Sequence, residues 1–177
     1  IGLYQSILKK DPGNRMAMLM LGRAYYRDGR LESAKSVLLE MLERYQDSPK
    51  CLETLALIND RQDNDETAVK YYKKVLALAP GSPVTLNNLA WIYVSENRNL
   101  DEAARMAEKS LEIVPDNPTF MDTLASIYEK MGKEKKVEEL RSRIAEIRSE
   151  NAPSANPGQK TPENTTGSKT GPAPSRQ

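Results

Sequence analysis

The sequence predicts an all-α array of stacked helix hairpins, ended by a C-terminal tail without a fold of its own. Three observations carry this. Positions recur with a period of 34 residues, each period splits into two amphipathic helical patterns, and the composition changes abruptly near residue 150. A period of this length is the signature of a unit that cannot bury its apolar face alone and stacks on its neighbours to do so.

Leucines recur at Leu21, Leu55, Leu89 and Leu124, spaced by 34, 34 and 35 residues, and each is followed by a small residue: Gly22, Ala56, Ala90 and Ala125. A second small series runs Ala34, Ala68 and Ala103 and ends in Val137. Pro12, Pro80 and Pro115 close three units, and Gln46 stands at the matching place in another. The first helix of a unit opens at a capping residue followed by proline, as in Ser48-Pro49, Ser82-Pro83 and Asn117-Pro118; Asn14 caps the first unit without the proline. Such a side chain accepts an orphan N–H of the first turn, and proline there gives up no needed donor. Apolar residues follow at helical spacing, as in Leu86, Leu89, Ala90 and Tyr93. A polar break such as Asp28-Gly29 or Asp63-Asn64-Asp65 leads to the second helix, with stripes such as Ala68, Tyr72, Val75 and Leu76.

These residues resemble the tetratricopeptide repeat, whose pattern of apolar residue, Leu, small residue, Tyr, Ala, aromatic and Pro is matched in register. The first unit supplies Met18, Leu21, Gly22, Tyr25 and Ala34, and the second Leu55, Ala56, Ala68, Tyr72 and Pro80. The third supplies Leu86, Leu89, Ala90, Tyr93, Ala103 and Pro115, and the fourth Met121, Leu124, Ala125 and Tyr128. The resemblance implies a right-handed superhelical solenoid. Residues 1–13, with Leu3-Tyr4-Gln5-Ser6-Ile7-Leu8 ahead of Asp11-Pro12, look like the second helix of a preceding repeat. Complete units are expected at 14–48, 49–82, 83–117 with a one-residue insertion near Asn97-Arg98-Asn99, and 118–150. The piece is expected to be the C-terminal part of a longer array. Asn99-Leu100-Asp101-Glu102-Ala103, after Leu86 to Trp91, resembles repeats of large bacterial proteins.

Departures from the pattern carry expectations of their own. Asn59 replaces the usual Tyr, so its helix is expected to pack less well. Residues 134–150 keep a narrow stripe of Val137, Leu140, Ile144 and Ile147 with charges elsewhere. That suits a capping helix with one face on the stack and one in water, or else a pairing seam between two chains.

Composition excludes several function classes. Lys+Arg number 26 against 25 Asp+Glu, a net charge of +1, so the basic excess needed for nucleic acid is lacking. The absence of histidine removes the usual neutral-pH acid–base group, and the lone Cys51 forms neither an internal disulfide nor a cysteine-rich metal site. No apolar run approaches the ~20 residues of a membrane helix, so no membrane insertion is expected. The Ile-Gly-Leu-Tyr start shows no signal peptide, yet it does not begin with Met, which leaves cytoplasm and periplasm both open. Residues 151–177 hold five Pro and three Gly and no Val, Ile, Leu, Met or aromatic residue. That composition cannot offset the entropy of ordering, so this tail is expected to be disordered. With Lys160, Lys169 and Arg176 against Glu163, its charge is +2, which leaves the body at −1.

Motifs for chemistry are missing. There is no phosphate loop, nucleophile elbow or carboxylate cluster at metal-ligand spacing. Asp60, Asp63 and Asp65 lack the Gly and terminal Glu of a calcium loop and read as a solvated turn. Cys51 reads as a small buried hydrophobe. Asn164-Thr165-Thr166 fits a glycosylation acceptor only in a secretory setting. No catalytic residue, cofactor or metal site is expected.

Function then falls to a surface. The resemblance implies that first helices line a concave groove used for peptides or partner proteins. Carried over position by position, the groove takes Met16, Met20, Arg23, Tyr26 and Arg27 from the first unit. Lys50, Thr54, Leu57 and Arg61 come from the second, beside Glu53; Asn87, Asn88 and Trp91 from the third, between Val84 and Ser95. Thr123 and Lys130 come from the fourth, with Thr119, Asp122 and Ser126. Met16, Met20, Thr54, Val84 and Asn88 stand where some members hold the Lys, Asn and Arg that capture a C-terminal carboxylate, so that capture is not expected. Arg23, Arg27 and Arg61 read either as a solvated face or as a site for an acidic ligand. Trp91 reads either as cover for a neighbouring helix or as a binding anchor. The expected function is a monomeric, non-catalytic scaffold for a protein or acidic peptide; the alternative is a self-assembly module working through array ends or the last helix.

Overall fold

The computed structural model describes residues 1–150, so the expected tail at 151–177 lies outside the described residues. Among them there are nine α-helices and no strand: α1 (Gly2–Lys10), α2 (Arg15–Arg27), α3 (Leu31–Arg44), α4 (Pro49–Asp60), α5 (Asp65–Leu78), α6 (Pro83–Ser95), α7 (Leu100–Ile113), α8 (Pro118–Lys130) and α9 (Glu134–Glu150). The helices pair as antiparallel hairpins, α2 with α3, α4 with α5, α6 with α7 and α8 with α9.

Start signals act through the side chains the sequence pointed to, with one exception. Asn14 Oδ1 accepts from Ala17 N at 2.9 Å, Ser82 Oγ from Thr85 N at 3.4 Å, and Asn117 Oδ1 from Thr119 N and Phe120 N at 3.0 and 3.2 Å. Ser48 makes no such bond. It is 4 % exposed, and the N1 proline alone starts α4.

Hairpin turns share one geometry. The chain passes through the left-handed region at Gly29, Asp63, Asn97 and Gly132, with φ between 51 and 77°. At each turn the next residue's N–H reaches back five positions, from Arg30 to Tyr25, Asn64 to Asn59, Arg98 to Tyr93 and Lys133 to Tyr128, every time at 2.9 Å. The left-handed residue itself bonds three back, Gly29 to Tyr26 and Asp63 to Asp60 among them. This paired closure satisfies the carbonyls a helix end leaves orphaned. In three turns the next residue is a cation lying over the tyrosine it bonds back to: Arg30 on Tyr25 at 4.5 Å, Arg98 on Tyr93 at 4.9 Å and Lys133 on Tyr128 at 5.3 Å. The inserted residue of the third unit is absorbed by Asn99, a second left-handed residue (φ 51°) that lets α7 start without disturbing the closure.

Within each hairpin the small columns face the crossing. Ala56, Ala90, Ala34, Ala68 and Ala103 are fully buried, and Leu21, Leu55, Leu89 and Leu124 are at most 5 % exposed. In the first unit the approach is tightest. A Cβ on Gly22 would sit 2.5 Å from Leu38 Cγ, so Leu38 occupies the volume that an alanine fills in the other units. The looser packing expected at Asn59 is not seen. Asn59 is 2 % exposed, its Nδ2 donates to Leu55 O at 2.7 Å, and α4 packs on α5 as closely as any hairpin in the array. The shorter side chain turns its polar end back on its own helix rather than leaving a gap.

First helices form an inner layer and second helices an outer one. α2 packs on α4 and α6 on α8, while no comparable packing joins α3 to α5 or α5 to α7. Closer contact on one side bends the stack, so α2, α4, α6 and α8 line its concave face. α4 and α6 scarcely pack; Thr85 Oγ1 donates across that gap to Glu53 Oε1 at 3.2 Å. At the C-terminal end, Val137, Ile144 and Ile147 are 3–7 % exposed and pack with Leu140 against Met121, Leu111 and Tyr128. The stripe of α9 is therefore spent within the chain.

Two substitutions test this packing. Leu89→Ala removes a fully buried side chain between neighbouring units and should lower stability by about 2–5 kcal/mol. Gly22→Ala should also destabilise, by about 1–3 kcal/mol of overpacking that outweighs the ~1 kcal/mol gain in helix propensity. Denaturant titration reads both. A stabilised Gly22→Ala protein would show that Leu38 yields freely.

Candidate functional site: the concave face of the inner helices

The groove positions separate into three groups. Met16 and Trp91 are 64 % and 49 % exposed, and Arg23, Arg27, Lys50, Arg61 and Lys130 are exposed with them. Met20, Tyr26, Leu57 and Asn88 are half-buried. Thr54, Asn87 and Thr123 are each only 4 % exposed, so they sit deeper than the other groove positions, Asn87 and Thr123 in the lining of a pocket. The reason is local for the threonines. Their hydroxyls fold back onto their own helices, Thr54 Oγ1 to Lys50 O at 2.8 Å and Thr123 Oγ1 to Thr119 O at 3.2 Å, so neither presents a free donor.

Charge divides the face. Arg30, Arg44, Arg98, Arg141, Arg143 and Arg148 each pair with a carboxylate. Among the described residues Arg23, Arg27 and Lys50 have no such partner, and Arg61 has only the Tyr26 ring, 5.9 Å away. Arg23 and Arg27 lie one turn apart on α2 and Arg61 at the matching end of α4, the helix packed beside it. The acids of α4 form no ion pair with them. Glu53 accepts from Thr85, and Asp60 sits at the turn, its carboxyl pushed above the ordinary range by burial first and then by Asp65 and Asp63. The cluster is a group of exposed cations without salt-bridge partners among the described residues.

Trp91 marks the other half. It borders a pocket of about 510 Å³ between α6 and α8, with Asn87, Asn88, Asp122 and Ser126, closed on one side by Arg141 of α9. Asn88 is held in place, its Nδ2 donating to Tyr72 Oη at 3.2 Å. Tyr72 is fully buried on α5, and burial holds its phenol protonated well above the usual range. Asn87 buries its Oδ1 with no hydrogen-bond partner, an arrangement that costs about 1–3 kcal/mol and calls for a reason beyond stability. Arg141 was invisible as a groove residue in the sequence, because it belongs to a second helix. Leu19, Met41 and Pro49 were likewise missed: they look like core and cap, yet they line a further pocket beside Met16.

Among the described residues no group of three His, Cys, Asp or Glu is placed to hold a metal ion, and no helix is long and apolar enough to cross a membrane. Cys51 is fully buried, its Sγ 3.3 Å from Leu38 O, and burial pushes its thiol up to about 12. The folded thiol stays protonated through the range where an unfolded one, near 9.0, ionises. Above that pH only the unfolded state loses the proton, so stability falls as pH rises. The native chain should therefore resist iodoacetamide at pH 8–9 and be alkylated once unfolded in denaturant; fast native labelling, read by mass spectrometry, would show an accessible thiolate.

Comparisons agree with this architecture. Three family models, each described as tetratricopeptide repeat, match residues 1–58, 49–82 and 84–114. The photosystem I assembly protein Ycf3 of Synechococcus elongatus is 34 % identical over 115 residues, covering 56 % of this chain and 65 % of that protein. Across the Ycf3 relatives the chain spans 54 to 65 % of their length. The crystal structure of MamA superposes with a TM-score of 0.73 at 23 % identity, covering 84 % of this chain and 86 % of that one. That of YrrB, described as a TPR protein with an unusual peptide-binding site, gives 0.68 at 16 %, covering 85 % and 77 %. With the register of the columns, the closed hairpin turns and the inner layer of first helices, these matches place the chain in the tetratricopeptide repeat family.

Proposed function

We propose that the chain is a non-catalytic scaffold that holds a peptide segment of a partner protein against its concave face, and that the segment is acidic. The observation that carries this is the combination on one face of a half-exposed tryptophan and three arginines without carboxylate partners. A large ring left half in water on a rigid surface is the kind of group that dominates interface energies. Arginines whose charge is not met inside the protein favour carboxylates from outside. YrrB's description as peptide-binding and the assembly role in the Ycf3 name are consistent with a protein ligand. Met16, Met20, Tyr26, Leu57, Asn88 and Lys130 complete the contact surface, while Asn87 contributes from the pocket floor.

A second reading, self-assembly, rests on one feature. The outer face of α9 leaves an open pocket of about 620 Å³ around Val137 and Ala145, where a further hairpin would stack. The apolar stripe of α9 is already buried, which leaves this face with mostly charged residues: Glu129, Glu134, Glu138 and Arg141. A mass that grows with concentration in light scattering after size exclusion would favour this reading, and a constant monomer mass removes it.

The scaffold reading is tested by selecting random peptides on the full chain and measuring the best by calorimetry. Trp91→Ala should weaken binding by at least ~2 kcal/mol while disturbing stability less than Leu89→Ala does. Charge reversal at Arg23 and Arg27 should shift the selection away from acidic sequences. Unchanged affinity with lost stability would make Trp91 a core residue, and absence of any selected peptide would sink the scaffold reading.

A further inference from the structure

A pocket of about 540 Å³ opens at the N-terminal ends of α2 and α4, over the end of α3. Its wall is Met16, Leu19, Met41 and Pro49, and its rim carries Arg15 and Lys50. The lining is almost wholly apolar, and Met16 stands 64 % exposed over it. The pocket floor is fixed: Met41 is fully buried and Leu19 is 6 % exposed, whereas Met16 is a flexible thioether that reshapes around an incoming group. Arg15 is held at the rim by its bond to Asp47 O at 3.2 Å and by the Tyr45 ring at 5.6 Å. Lys50 has no charge partner among the described residues and faces the same opening.

The same helix that opens with Met16 ends in Arg23 and Arg27. Seven and eleven residues of helix put those guanidinium groups about 10 and 16 Å further along α2. An extended ligand advances about 3.3 Å per residue, so it crosses that distance in roughly three to five residues.

Resting on the groove reading above, we infer that the N-terminal half of the groove is a two-part site for a segment that carries one bulky aliphatic residue and, about three to five residues away, one or more carboxylates. The aliphatic side chain enters the pocket of Met16, Leu19, Met41 and Pro49. The carboxylates meet Arg23, Arg27 and Arg61. Complementarity of charge selects the ligand, since this half of the face offers several unpaired cations and an apolar cavity. The apolar part sets a register that charge alone would leave free.

The test uses the full chain and fluorescein-labelled Ala/Ser peptides carrying one Leu and an Asp-Glu pair about four residues from it, placed on either side in two versions. Controls replace Leu by Ser, replace the acidic pair by Ser-Ser, or lengthen the spacing to about ten. Fluorescence anisotropy should give the two-part peptide in one orientation an affinity at least about tenfold above each control. Met16→Ser should erase the advantage of Leu but leave the response to the acidic pair, and Arg27→Glu should do the reverse. Both sites are exposed, so neither variant threatens the fold. Raising salt should weaken the acidic part and spare the apolar one. Equal affinity with and without Leu overturns the two-part site and leaves the scaffold reading standing. A spacing of ten binding as well as four also overturns it. If these peptides fail while peptide selection still yields Trp91-dependent binders, this inference falls alone; if selection fails too, the groove reading falls with it.

Discussion

Each hairpin depends on two helices coming close enough for their backbones to leave no room for a large side chain at the crossing. Gly22, Ala56, Ala90 and Ala125 on the first helices, and Ala34, Ala68 and Ala103 on the second, make that approach possible. The leucine beside each small residue is buried with its neighbours, Leu21 and Leu55 in one cluster and Leu89 and Leu124 in another that runs from the second hairpin to the fourth. Gly22 shows how narrow the tolerance is, because Leu38 has moved into the volume of a single methyl group. Everything further out, including the orientation of the inner helices and so the face they present, inherits its geometry from these crossings.

Turn closure supplies the second constraint. Bonds reaching back five residues end every first helix at the same phase, so the second helix leaves in the same direction each time. Tyrosine serves both functions at three of these ends: it offers its carbonyl to the turn and its ring to the cation that follows. The second unit keeps the turn with Asn59 and forgoes the ring, which shows that the backbone bonds, not the stacking, define the motif.

Much of this was legible in the sequence, and the limits of legibility follow from physics. The period, the paired helices and the small columns are properties of every unit at once, so they stand out against chance. Ser48 shares its sequence context with Ser82, yet it is buried and makes no capping bond. Thr54, Asn87 and Thr123 occupy inner-face positions by count, but their exposure depends on how far each helix is rotated against the next, which no spacing encodes. The same holds for Arg141, which reaches the inner face from the outer layer, and for Tyr72, which holds Asn88 from beneath. Trp91 stood between two readings, and the structure leaves its ring half exposed beside the pocket between α6 and α8.

The uneven packing of the inner layer divides the concave face in two. α2 packs on α4 and α6 on α8, and the boundary between those pairs is spanned by the outer helix α5, by the Thr85–Glu53 hydrogen bond and by a buried cluster that runs from Ala56, Ala68 and Tyr72 to Leu89, Ala90 and Tyr93. The arginine cluster lies on one side of that boundary and Trp91 on the other. A single ligand reaching both therefore bridges a seam, and its contacts would join on the inner side two halves that the chain itself joins mainly on the outer side.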